Sequence, residues 1–267
     1  MFLLATDSVT SIGENAFCGC SELSEIALPK NLEFIGSCAF ANSAIKTLTI
    51  PEKVRNIGDN PINACKNLES VIIEQGNKHF KIFESNGIKY ILSVDGKQLI
   101  APLDLVPYPN PAPAAGSKDI TIPEGIEVIN GYAFDRRSDI RSVILPNSIK
   151  EIGISNFAYC SSMETIDFSK STELQIIGES AFEGCESLKT LNIPNKVTYI
   201  GNHCFNACKG LEGNIEIPTS VETIGQKAFT GCDTTKAKLV IHQAEHTKWF
   251  NDWHGGLPVE WIDPNQK

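Results

Sequence analysis

Apolar and polar positions along this chain recur with a period of about 23 residues. One copy reads Ile12-Gly13-x-x-Ala16-Phe17-x-x-Cys20-x-x-Leu23-x-x-Ile26-x-Leu28-Pro29. The Ile-Gly step returns at Ile35-Gly36, Ile57-Gly58, Ile152-Gly153, Ile177-Gly178, Ile200-Gly201 and Ile224-Gly225, with Ile129-Asn130-Gly131 as a variant. A small residue and Phe follow at Ala39-Phe40, Ala133-Phe134, Ala181-Phe182, Cys204-Phe205 and Ala228-Phe229; Pro61-Ile62 and Asn156-Phe157 are degenerate copies. The second half of each unit alternates, as in Ile45-x-x-Leu48-x-Ile50 and Leu188-x-x-Leu191-x-Ile193. Apolar residues two apart, closed by Pro, predict a short strand. The Ala-Phe stretch has room only for a helical turn.

A fixed period of this length predicts a solenoid in which each repeat is one turn of a right-handed coil. One such coil buries too little to offset the ordering of its own backbone, so stacking on its neighbours must hold it. Gly at each Ile-Gly step is expected at a tight corner closed to bulky residues. Phe17, Phe40, Phe134, Phe157, Phe182, Phe205 and Phe229 are expected to form one aromatic spine. The predicted fold is therefore a single α/β repeat solenoid over 1–267, with parallel strands on one face and short helical or irregular turns opposite. Residues 74–118 interrupt it: 77–101 alternate like a β-hairpin with Asn86-Gly87 and Asp95-Gly96 as turns, and Pro102, Pro107, Pro109, Pro111 and Pro113 make an extended loop. Ile120-Thr121-Ile122-Pro123 then resumes the repeat. The insertion reads as one tolerated on a solenoid edge; ligand contact is the alternative, because insertions in repeat arrays map to one face.

The combination of Ile-Gly, Ala-Phe, Cys and a Pro after the strand resembles the BspA-like (treponemal-class) leucine-rich repeats over almost the whole chain. The interruption is also similar to that family, through Asn77, Phe80, Gly87, Tyr90, Asp95, Gly96, Leu99 and Ile100. So is the end of the chain, where Trp249-x-x-x-Trp253 is expected on a short helix within a capping segment at 242–263. The resemblance implies a horseshoe-like right-handed superhelix, secreted or attached to the cell surface, and used for adhesion and host contact. Matrix or cell-surface proteins are the partners it implies.

Charge removes some classes of function. The net charge is −9, the calculated pI is about 5.1, and no basic run is present, which argues against nucleic-acid binding. No stretch approaches the roughly 18 apolar residues of a membrane span. Met1-Phe2-Leu3-Leu4 lacks the basic region and length of a signal peptide. If Val9 aligns with Leu32, Leu3 and Ala5 occupy strand positions, so the chain starts inside a coil without a polar cap. A leader and upstream repeats are therefore expected to be missing, and self-association is expected at the uncapped end. An extracellular or surface location follows, with the cytoplasm as the alternative.

Cys20, Cys65, Cys160, Cys185, Cys208 and Cys232 each lie three residues after the Phe position. They read as a ladder of small buried thiols rather than as disulfides or zinc ligands; the total of nine is odd and Cys-x-x-Cys is lacking. His242-x-x-x-His246 has the spacing of a zinc protease, but Gln243 stands where Glu should be. Asp252 and His254 could be added to that set only loosely. No nucleophile, base and acid fall together, so no enzyme activity, cofactor or metal is expected.

The remaining signal is the outward side of each strand. One ladder reads Ala27, Thr49, Ile72, Thr121, Ile144, Asp167, Asn192, Glu216 and Val240; another includes Glu25, Thr47, Ser70, Asp119, Ser142, Thr165, Thr190 and Asn214. The candidate binding residues are Thr49, Ile72, Thr121, Ile144, Thr165, Asp167, Thr190, Asn192 and Glu216. Thr and Ser suit any exposed strand, so a plain scaffold or spacer that displays another domain is the alternative to a recognition surface. The strip lacks an aromatic row for sugar stacking, which favours a protein ligand.

Overall fold

In the computed structural model, residues 2–4, 6–103, 118–242 and 249–262 are described. The chain divides into two compact units, Met1–Pro109 with Asn130–Ala133, and Asn110–Ile129 with Phe134–Lys267. Both are built from stacked β-coils, and a coil typically supplies two strands rather than one. The apolar-alternating segment gives the longer strand, as foreseen. The Ile-Gly step gives a second strand of two residues.

In the first unit the short strands Ser11–Ile12, Phe34–Ile35 and Asn56–Ile57 stack in parallel. The longer strand Thr47–Ile50 pairs in parallel with Ser70–Ile73, and Phe2–Leu4 pairs with Glu25–Ala27. In the second unit Val128–Ile129, Glu151–Ile152, Ile176–Ile177, Tyr199–Ile200 and Thr223–Ile224 form the short-strand sheet. Its longer strands make two parallel sheets, Lys118–Thr121 with Ile140–Ile144 and Thr165–Asp167, and Gly213–Ile217 with Ala237–Ile241 and Val259–Trp261.

Between the two strands of each coil lies the Ala-Phe stretch, and here the expectation of helical turns, and with it the α/β class, is corrected. No helix occurs among the described residues, including Trp249–Trp253, which forms turns. The backbone shows why. In the coil at 178–185, Ala181, Glu183 and Cys185 donate their N–H groups three residues back, to Gly178, Ser180 and Phe182. The alternate amides of Ser180, Phe182 and Gly184 donate to Asn202, Cys204 and Asn206 of the next coil. Half the turn amides thus leave the coil, and no run of i to i−4 bonds can form. Residues two and six places after the Gly position adopt left-handed backbone, as with Ser180 (φ 51°) and Gly184 (φ 70°) or His203 (φ 54°) and Ala207 (φ 59°).

The repeated Gly therefore has another reason than the one expected. Gly36, Gly58, Gly178, Gly201 and Gly225 do not have positive φ. Each lies on the backbone of the coil before it: a Cβ at Gly58 would be 2.5 Å from the Ser37 nitrogen, and one at Gly178 2.8 Å from the Gly153 carbonyl carbon. Close approach, not turn conformation, excludes a side chain there.

The aromatic spine is present. Phe17 stacks on Phe40 at 5.5 Å in the first unit. In the second, Phe134, Phe157, Phe182, Phe205 and Phe229 stack at 5.2–5.5 Å. Trp253 meets Phe229 edge-on at 6.3 Å and accepts its N–H, closing the spine with buried Trp249 and Leu257. The rest of the 242–263 segment, residues 243–248 and 263, lies outside the described residues.

The interruption in the first unit is an antiparallel meander. Phe80–Ser85 pairs with Ile88–Ser93 across Asn86-Gly87, both left-handed, and Gln98–Pro102 adds a third strand. Tyr90, Ile91, Leu99 and Ile100 are buried in it. Asn77 fixes its start, donating to the Pro51 and Val54 carbonyls while its Oδ1 accepts the His79 and Phe80 amides. The Pro-rich stretch with Pro107, Pro109, Pro111 and Pro113 falls outside the described residues.

Candidate functional site: the strand face

Parallel pairing in register places equivalent outward residues in rows. In the second unit Thr121 stands opposite Ile144 and Ile144 opposite Asp167. A second row holds Asp119, Ser142 and Thr165. Thr121, Ile144, Thr165 and Asp167 are all exposed. Thr190, Asn192 and Glu216 are exposed too, though residues 188–194 form no strand. Val240, read as outward, is buried, 2% exposed. In the first unit Thr49 faces Ile72; Thr49 is half-buried and Ile72 is 50% exposed.

Several charges on this face are paired from coil to coil. Arg141 grips Asp119 through two bonds, and Ser142 adds a third. Arg141 first and then Ser142 hold the Asp119 carboxyl below its ordinary pKa. Lys189 bonds Glu164 at 2.8 Å and lowers that carboxyl in the same way. Glu216 meets His242 Nε2 at 2.6 Å. His242 is thus engaged with a strand-face carboxylate; His246, its supposed zinc partner, lies outside the described residues. No cluster of three or more metal-ligating side chains occurs among the described residues.

Asp167 and Asn192 come together in one open groove of about 490 Å³. Ile166, Phe168 and Ile193, each 6–8% exposed, lie among its lining residues with Ser169, Asn195 and Lys196. Ser169 donates to Asp167 through side chain and backbone, and these bonds keep the carboxyl below its usual range. Sequence reading missed this groove. Its signal was a spacing: Ile152 and Ile177 are 25 residues apart, whereas Ile177 and Ile200 are 23 apart.

Also missed was a second outward row, formed by the residue before each buried Ile of the short strands. It contains Ser11, Phe34 and Asn56 in the first unit, and Tyr199 beside Thr223 in the second. Phe34 and Tyr199 are each 37% exposed. The strict alternation around Ile-Gly was the available signal.

The cysteine ladder is buried from Cys65 onward, whereas Cys20 in the first coil is only partly buried. Cys160, Cys185, Cys208 and Cys232 donate their thiols to the Phe134, Phe157, Phe182 and Phe205 carbonyls at 3.2–3.3 Å. Burial pushes all four thiols up, that of Cys232 to about 11. A thiol so raised is a poor nucleophile.

Comparison with known proteins agrees with this geometry. The family model for the BspA type leucine-rich repeat region matches residues 3–95 and 115–236 in six copies. The fold is similar to that of a leucine-rich cell surface protein from Faecalibacterium prausnitzii, at 27% identity and a TM-score of 0.66 over 99% of this chain. This chain spans 60% of that protein's length. The pneumococcal vaccine antigen PcpA shares the fold at 21% identity and a TM-score of 0.68, over 98% of this chain and 67% of its own. No curated protein matches the sequence. No helix among the described residues is long and apolar enough to cross a membrane.

Proposed function

The chain belongs to the BspA-type leucine-rich repeat family, and from that premise we propose that it is a non-enzymatic recognition module acting at the cell surface. Its partner on this reading is a protein, such as a host matrix or cell-surface glycoprotein, held on the strand face of the second unit. The observation that carries this is the set of exposed rows through Thr121, Ile144, Thr165 and Asp167. Their side chains stand on a backbone locked by coil-to-coil pairing, which limits the ordering cost of binding. Surface location is supported by the cell surface protein from Faecalibacterium that shares the fold.

Surface plasmon resonance on immobilised matrix proteins and host glycoproteins tests the proposal. Saturable binding is expected, weakened at least tenfold in a Thr121→Arg/Thr165→Arg variant whose circular dichroism is unchanged. Equal binding by variant and wild type moves the contact off this face. No binding across the panel favours a spacer that displays another domain.

Self-association belongs, on the same reading, to the first coil. Phe17, Cys20, Ile26 and Leu28 are only partly buried there, whereas Phe40, Leu48 and Ile50 of the next coil are fully buried. Sedimentation velocity is expected to show a concentration-dependent dimer that Phe17→Asp abolishes. A monomer at every concentration removes this part of the reading.

A further inference from the structure

The strand face of the second unit interrupts its own hydrogen-bonded ladder at one coil. Thr165–Asp167 ends one sheet and Gly213–Ile217 begins the next. Residues 188–194 run between them with Leu191 and Ile193 buried and Thr190 and Asn192 exposed, the alternation of a strand. Lys189 still links the coils, donating to Glu164 and accepting from Glu212. Beyond it, among the described residues, no backbone bond joins Thr190–Ile193 to either sheet. The loosening lies next to the longer coil, whose Ser169–Thr172 bulge supplies part of the groove wall.

We propose that this groove holds one extended polypeptide segment of the protein partner, with a Lys or Arg side chain against Asp167 and an aliphatic side chain over Ile166, Phe168 and Ile193. The inference rests on the strand face being the recognition surface and adds the chemistry of the ligand. Extended backbone with unengaged N–H and C=O groups is matched by another extended backbone, which repeats its own donors and acceptors at the same interval. The side-chain amides of Asn192 and Asn195 line the same groove, and no hydrogen-bond partner is present for either among the described residues. Charge sets the sign of the ligand. Lys196 is paired with Glu173 at 2.7 Å. Asp167 is held by Ser169 and influenced by the Lys170 charge without a direct ion pair among the described residues, so it supplies the negative charge of the lining. Alternate residues of an extended segment face the same side, so the basic and aliphatic side chains should be two apart.

Selection from a phage-displayed random dodecapeptide library on the purified full chain tests this. Enriched sequences are expected to share an aliphatic residue two places from Lys or Arg. A synthetic peptide of the leading sequence should lose at least tenfold affinity for Asp167→Lys and for Asn192→Arg, each checked for folding by circular dichroism. N-methylation of alternate backbone amides of that peptide should weaken it equally, which side-chain contacts alone would not produce. No enrichment over bare support, enrichment without a basic residue, or undiminished binding to both variants overturns the proposal. Peptide binding lost in the groove variants but kept in Thr121→Arg/Thr165→Arg supports the groove even if no matrix protein binds. Matrix binding that depends on Thr121 and Thr165 while the groove variants behave as wild type sinks the groove and spares the broader reading.

Discussion

At the scale of single residues, the repeat is set by what cannot be there as much as by what is. Gly201 carries no side chain because its Cβ would fall on the backbone of Glu179, while Gly13 has nothing within 4 Å of that position. The two should therefore respond differently to the same change. Gly201→Ala is expected to cost about 1–3 kcal/mol by forcing coils apart, and Gly13→Ala to stay within about 0.5 kcal/mol. Phe182→Ala, which opens the spine between Phe157 and Phe205, should cost about 3–5 kcal/mol. Urea denaturation reads all three; similar values for the two Gly variants would refute the close-approach argument. The need for Gly was legible in the sequence from its repetition. Its cause was not, because the colliding atoms belong to a coil some 23 residues earlier in the chain.

At the scale of elements, the strands followed from alternation, while the turns depended on where half their amides go. Ala-Phe-Glu-Gly at 181–184 reads as a helical turn by composition, yet its alternate N–H groups reach the next coil. No local pattern announces that exchange. Another turn contains a sheltered ion pair, Arg137 and Asp139, with side chains 9% and 17% exposed, joined at 2.7 Å. Burial pushes the Asp139 carboxyl up, but the Arg137 guanidinium outweighs it and the net pKa is lowered. A lowered folded-state pKa stabilises above the unfolded value and loses that contribution as pH falls through the folded one. Wild type should therefore lose stability below about pH 4. Asp139→Asn should be about 1–3 kcal/mol less stable at pH 7, and the gap should narrow at pH 3. A gap of equal size at both values, measured by thermal unfolding, would rule out the ionic contribution.

At the scale of the whole molecule, much of the charge is organised along the coils. Glu33–Arg55, Glu127–Lys150, Glu173–Lys196 and Glu186–Lys209 each join one coil to the next. All but the partly sheltered Glu127 are substantially exposed, and each pair is worth about 0–1 kcal/mol. Raising salt from about 0.05 to 1 M also relieves the self-repulsion of a −9 chain. Scanning calorimetry is expected to show a midpoint within a few degrees across that range. A fall of more than about 10 °C would mean that ion pairs, not the Phe and Ile rows, hold the coils together. Repetition made the solenoid legible, and outward positions such as Thr121 and Asp167 could be assigned by parity. The groove at Asp167 and Asn192 could not, since it arises where two adjacent coils differ in length. The division of turn amides gives each coil two kinds of isotope-exchange reporter. Protons bonded within the turn, such as that of Glu183, are released when one coil frays by itself. Those handed across, such as that of Phe182, are released only when two layers separate, so fraying and delamination leave different marks on neighbouring amides.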